Sequence, residues 1–164
     1  MLKINDFMLS RQEAIAMIKK ECSRQGVIKP EQVNYVLATA EHETNDTFMP
    51  VVEAYWKSER WRETNLRYYP YHGRGLVQIT WPENYKKFSK IIGVDLYKHP
   101  EYALEMKHAV FILVYGMKHG TFTGKKLDDY INDEFIDYEG ARKIINGVDK
   151  KEHIAGLAAK YDTA

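Results

Sequence analysis

Among 164 residues the chain has one cysteine, Cys22. A lone thiol cannot close an internal disulfide, so the fold must stand on its core, as proteins of reducing compartments do. Charge of one sign is also lacking, since 24 Lys and Arg face 23 Asp and Glu. That balance argues against a general nucleic-acid binder, which carries a clear basic surplus. The lysines fall in scattered pairs (Lys19-Lys20, Lys86-Lys87, Lys125-Lys126, Lys150-Lys151), the pattern of solvated faces and not of a binding stripe or charged tail. Long apolar runs are missing as well. The longest, AVFILVY at 109–115, is far too short to span a bilayer, so no stable membrane anchoring is expected. The opening MLKINDFMLSRQEAIAMIKK has neither a continuous apolar segment nor a small-residue cleavage site. The chain is therefore expected to be made in the cytoplasm without an export signal of its own.

What is present suits one soluble domain, 1–164, with a real core: 45% of residues are hydrophobic and 29% charged. Ser10 followed by Glu13 has capping-box spacing and Gly26 can end a helix, which predicts a first helix over 11–25. Pro30 suits the first position of a second helix, to about residue 43, with Val33, Val36, Leu37 and Ala40 at helical period. Further on, Pro82 and Gly93 bracket one helix and Pro100 and Gly120 another, the latter holding the apolar run. Shorter helices are expected around 125–132, 138–145 and 150–161. No repeat, linker or βαβ alternation is seen, so the expectation is a single, mainly α domain, with any small sheet confined to 66–81.

Residues 44–81 read differently. Asn45, Asp46, Pro50, Pro70, Gly73 and Gly75 punctuate them, and rings are dense: Phe48, Tyr55, Trp56, Trp61, Tyr68, Tyr69, Tyr71 and Trp81. Such a stretch suits the wall of a sugar-binding cleft, because flat apolar faces stack on pyranose rings. It equally suits rings that simply pack a core, and composition does not choose between them.

Several chemistries are eliminated by spacing. His42-Glu43 begins like a zinc-protease motif, but Asp46 stands where the second histidine belongs. The six histidines show no other ligand spacing, so no metal and no cofactor is expected. GTFTGKK at 120–126 lacks the hydroxyl residue of a phosphate loop, and Asp128, Asp129 and Asp133 lack the calcium-loop glycine. Cys22 lies inside a helix with no evident activating partner.

Carboxylates remain. At about 100° per residue, Glu43 falls at the border of the apolar face of the second helix, with His42 opposite and Glu41 at the other border. A glutamate there, partly desolvated and near the negative helix end, sits in surroundings that favour the protonated form a general acid needs. Read alone, however, AEHETNDTF is better explained by an ordinary charged helix end. The stretch YYPYHGRGLVQITWPENY at 68–85 adds Gly73 and Gly75 for close backbone approach and Arg74 as a fixed fork of donors. Gln78, Thr80, Asn84 and Tyr85 follow. If 76–80 is extended, Gln78 and Thr80 share one face, an amide and a hydroxyl suited to a hydroxyl-rich substrate or a water.

Together HET at 42–44, YHGRGLVQITWPENY at 71–85 and ARKIING at 141–147 resemble glycoside hydrolase family 19, and more closely its phage and prophage endolysin relatives. The matching order and spacing run over residues 36–147. The resemblance implies a lysozyme-like helical fold with a cleft, hydrolysing β-1,4 bonds between amino sugars. By position it implies Glu43 as general acid and Thr80 as the hydroxyl that helps hold the attacking water. It further implies Gln78, Asn84, Tyr85 and Asn146 as groups that meet the sugars, with Arg74 as the basic residue of the GRG turn. For the general base Glu53, Glu59 and Glu63 are available, and Glu53, in PVVEAYW, matches the shorter endolysin loop. Inverting chemistry then asks for carboxyls about 6.5–9.5 Å apart, whereas a gap near ~5 Å goes with retention.

The leading expectation is an endolysin, a muramidase acting as a monomer on the glycan strands of peptidoglycan. It would wait in the host cytoplasm for a separate membrane-permeabilising protein to release it to the wall. A chitinase, a lytic transglycosylase and a non-catalytic sugar-binding module are the alternatives.

Overall fold

The computed structural model describes residues 9–162, and the part of the N-terminal reading that falls on residues 1–8 lies outside them. The capping box read from the sequence opens helix α1, Arg11–Arg24. The Ser10 hydroxyl accepts from the Glu13 amide at 3.0 Å, and the Glu13 carboxylate accepts from the Ser10 amide at 3.0 Å. Ala14, Ile18 and Cys22, each four residues on, make its buried stripe. Helix α2, Pro30–Glu43, starts on its proline and is enclosed along its second half, where every residue from Tyr35 to Glu41 is buried. It packs against α1 and against the last helix, α6, Lys151–Tyr161.

Between these lie strand β1, Val51–Val52, helix α3, Glu59–Asn65, strand β2, Arg74–Gly75, and helix α4, Pro82–Ile92. Next come a 3-10 turn at Pro100–Leu104 and helix α5, Met106–His119. Two more 3-10 turns, Leu127–Asp129 and Gly140–Ile144, precede α6. The described residues divide into two compact units. One runs through Phe48 and resumes at Leu113, and the other is Met49–Ile112. No helix among the described residues is long and apolar enough to cross a membrane.

Four expectations need correction. The sheet is not confined to 66–81, because β2 pairs antiparallel with Val51–Val52, with Val51 opposite Gly75 and Val52 opposite Arg74. The stretch 76–80 is not extended. Arg74 and Ile79 exchange two backbone hydrogen bonds, and the chain between them turns tightly, with Gln78 at a left-handed φ of 59°. The helix expected from Pro100 to Gly120 is broken at Glu105, whose extended backbone separates the 3-10 turn from α5. The helices expected around 125–132 and 138–145 are shorter, 3-10 segments. Helix α3 was not foreseen within the loop-like region. Its start is nonetheless legible in Ser58, whose hydroxyl caps the Trp61 amide at 3.0 Å.

Candidate active site

The candidate residues fall into both units, so each group is described within its own. In the first unit Glu43 is the last residue of α2 and is half-buried. Its Oε1 accepts a hydrogen bond from Arg142 Nη1 at 2.9 Å. Arg142 belongs to the 3-10 turn 99 residues later, and its side chain is 4% exposed against 20% for Glu43. A second donor of the same guanidinium, Nε, holds the Asp149 carbonyl at 2.7 Å, which fixes the plane of the fork. Among the described residues Glu43 Oε2 accepts no hydrogen bond, so one oxygen is anchored and the other is available. Sequence reasoning took the helix end and the apolar border as the whole setting of Glu43 and did not foresee this guanidinium. The signal was there, since Arg142 lies in the ARKIING segment from which only Asn146 was singled out.

Glu41 is buried more deeply than Glu43 and is fully engaged. It accepts from the Tyr161 hydroxyl at 2.6 Å and faces Arg11 at 3.6 Å and Lys160 at 3.9 Å. His42 is half-buried and meets the His153 ring edge-on, with centroids 5.3 Å apart. Asn146 is exposed at the surface just past the 3-10 turn. Cys22 is fully buried, and burial pushes its thiol up to about 12, which leaves no thiolate for chemistry near neutral pH.

In the second unit Glu53 is held by the segment that carries the GRG turn. Its Oε1 accepts from the Gly73 amide at 2.8 Å and its Oε2 from the Tyr68 hydroxyl at 2.5 Å. The same contact works on Tyr68, whose phenol is pushed up to about 12, chiefly by its hydrogen bond to Glu53 and then by burial. The Glu53 amide also donates to the Gly73 carbonyl at 2.8 Å, so Glu53 and Gly73 are tied twice. Glu59 instead pairs with Arg62 and accepts from the Tyr69 hydroxyl at 2.9 Å, and Glu63 is exposed on α3.

The polar series after the GRG turn is largely spent on the turn itself. Arg74 Nη1 donates to the Pro70 carbonyl at 2.8 Å and to the Tyr85 hydroxyl at 3.0 Å, and Tyr85 in turn donates to the His72 carbonyl at 2.6 Å. Both side chains are buried, so in this state they brace the loop from beneath. Gln78 donates to the Val51 carbonyl at 2.6 Å, and Asn84 to the Thr80 carbonyl at 2.6 Å. A Cβ at Gly73 would collide with the Gln78 amide, which explains a glycine at the first position of GRG. Thr80 is half-buried, its hydroxyl making only a long contact, 3.4 Å, to the Gln78 carbonyl. It is the hydroxyl in this series least committed to the fold.

Of the rings that composition left undecided, Trp61, Tyr68, Tyr69 and Tyr71 are half-buried, and the others fall to either side. Phe48 is core, with the Arg11 guanidinium over its face. Tyr55, Trp56 and Trp81 are exposed, and the first two stand two and three residues past Glu53.

His72 has an environment of its own. It is 1% exposed and stacked on Tyr69 at 5.2 Å, and neither ring nitrogen has a hydrogen-bond partner among the described residues. Burial, and then the Arg74 guanidinium, bring its pKa down to about 4 from 6.5. A base whose folded pKa is depressed binds its proton more readily when unfolded. The stability it contributes is thus complete above pH 6.5 and is lost as pH falls toward 4. Urea titrations between pH 7 and 4 are expected to show a loss on the order of 3 kcal/mol that His72→Phe removes. An equal loss in the variant would assign the acid sensitivity elsewhere.

Comparison with known proteins bears on the fold. Chitinase C from Streptomyces griseus matches with a TM-score of 0.62 at 17% identity, over 90% of this chain and 68% of that one. A mutant of chitinase C matches with a TM-score of 0.54 at 16% identity, over 99% of this chain and 94% of that one. The fold is lysozyme-like, as in these chitinases. Among the described residues it is mainly helical, with one small two-stranded sheet. No family model matches the sequence, and no curated protein does.

Proposed function

We propose that this chain is a glycosidase that hydrolyses β-1,4 bonds between amino sugars of peptidoglycan, acting as an endolysin. The observation that carries the reading is the pairing of a chitinase C-like fold with a carboxylate, Glu43, at the end of α2, one of whose oxygens is anchored by Arg142. In this reading Glu43 Oε2 carries the proton delivered to the leaving glycosidic oxygen. Glu53, an acceptor on both oxygens and seated on the Gly73 amide, takes a proton from the attacking water, and the Thr80 hydroxyl helps to hold that water. Tyr55 and Trp56 offer exposed faces for sugar stacking. Gln78, Asn84 and Asn146 are the further polar groups proposed to meet the substrate, while Arg74 and Tyr85 act by bracing the loop.

If the two carboxyls act across a water, hydrolysis inverts configuration, and proton NMR of fresh product is expected to show the α-anomer first. A β-anomer appearing first would reassign Glu53 as a nucleophile or remove it. Release of new reducing ends from purified peptidoglycan tests the activity as a whole, and their absence would end the endolysin reading. Anhydro ends, seen by mass spectrometry, would indicate a transglycosylase. A chitinase is the second reading, favoured by the names of the two matching structures. Relative turnover of chitin oligomers and peptidoglycan separates the two. The proposal also places the chain in the host cytoplasm, as a monomer, until another protein permeabilises the membrane.

A further inference from the structure

At His42, the residue before Glu43, the first unit has an open cavity of about 500 Å³ lined also by Glu41, Asn45, Asp46, Lys150, His153 and Leu157. Its acids are already compensated. Glu41 is held by Tyr161, Arg11 and Lys160, and Asp46 by Arg11 Nε at 2.9 Å. Its donors are not. Among the described residues the Lys150 ammonium has no hydrogen bond or ion pair, and His42 and His153 meet only each other's rings. Lys150, the residue before α6, and His153, in its first turn, both line the cavity. Lys150 is held there at a left-handed φ of 61°, a conformation that costs a lysine more than a glycine. Leu157, one turn beyond His153, supplies an apolar wall.

A ligand that fits has a carboxylate for the three donors and a small apolar group for Leu157, and it is attached to what Glu43 meets. We propose that this cavity binds the peptide stem of the muramyl sugar, its carboxylate at Lys150, His153 and His42 and a methyl against Leu157. The inference rests on the peptidoglycan reading and adds a reason for it, because chitin has no stem and would leave the donors unpaired. Burial lowers the proton affinity of His42, so it serves as a neutral N–H donor, and Lys150 carries the charge. The cavity thus separates two substrates that share a glycosidic bond.

The test is binding and needs no turnover. Histidine side-chain NMR resonances are followed while the full chain is titrated with a muramyl dipeptide, with the same compound amidated at its carboxylate, and with a GlcNAc dimer. The muramyl dipeptide is expected to move the His42 and His153 signals, and the other two are not. Lys150→Gln is expected to weaken binding about tenfold. Lys150→Gly is expected to weaken it similarly with a melting temperature at or above that of the parent, which excludes unfolding as the cause. Equal shifts with the GlcNAc dimer or the amidated compound, or parental affinity in both variants, would overturn the inference. Binding without cleavage of any glycan would instead remove the catalytic reading and leave the cavity's ligand in place. Cleavage of peptidoglycan without these shifts would do the reverse.

Discussion

Glu43→Gln is expected to reduce glycan cleavage by about 10²–10⁴-fold, the share a general acid commonly contributes. The amide keeps an acceptor for Arg142 Nη1, so the contact now at 2.9 Å survives in weaker, uncharged form. Unfolding free energy should therefore fall by no more than about 2 kcal/mol. The two readouts belong together. An inactive variant with parental stability assigns chemistry to the carboxyl, and full activity removes Glu43 from the mechanism. The same variant addresses the sugar-binding module. A binder would keep its affinity for glycan and show no cleavage even in the parent.

Arg142→Met should have the largest effect on stability. The methionine fills much of the buried stem but supplies neither donor. The substitution leaves Glu43, whose side chain is 20% exposed, without its guanidinium, and the Asp149 carbonyl without its 2.7 Å partner. Removing one member of such a pair typically costs about 3–5 kcal/mol, and the partial exposure of Glu43 places this case near the lower figure. For a chain of this size, that corresponds to a fall in melting temperature of roughly 6–12 °C. In the double variant with Glu43→Gln the losses should not add, because the second change removes the charge that the first had stranded. Strict additivity would mean that the two side chains do not act on each other.

The parts of the fold legible in the sequence were those with local causes. Ser10 with Glu13, Pro30, Pro82 and Gly93 each mark a helix end by an interaction within a few residues, and each end falls where it was read. What was missed depended on distant partners. Val51–Val52 becomes a strand only because Gly75 and Arg74 lie opposite it. The tight turn at Gln78 exists because residues 74 and 79 bond to each other. Pattern alone does not announce either pairing. The site divides in the same way. Glu43 was named from its place on the helix together with the family resemblance, and Glu53 from that resemblance alone. That Arg142 grips the first, and Gly73 and Tyr68 the second, are contacts over 99, 20 and 15 residues.

The solitary thiol has a practical use. Because Cys22 is wholly buried with its proton held to about pH 12, maleimide and nitroxide reagents should pass it by. The natural chain then behaves toward labelling as though it had no cysteine. Introduced thiols at exposed positions, Ile28→Cys in one unit and Lys98→Cys in the other, would be the reactive pair. Spin-echo distances between two such probes, with and without a glycan, would measure in solution how the halves that carry Glu43 and Glu53 respond to substrate.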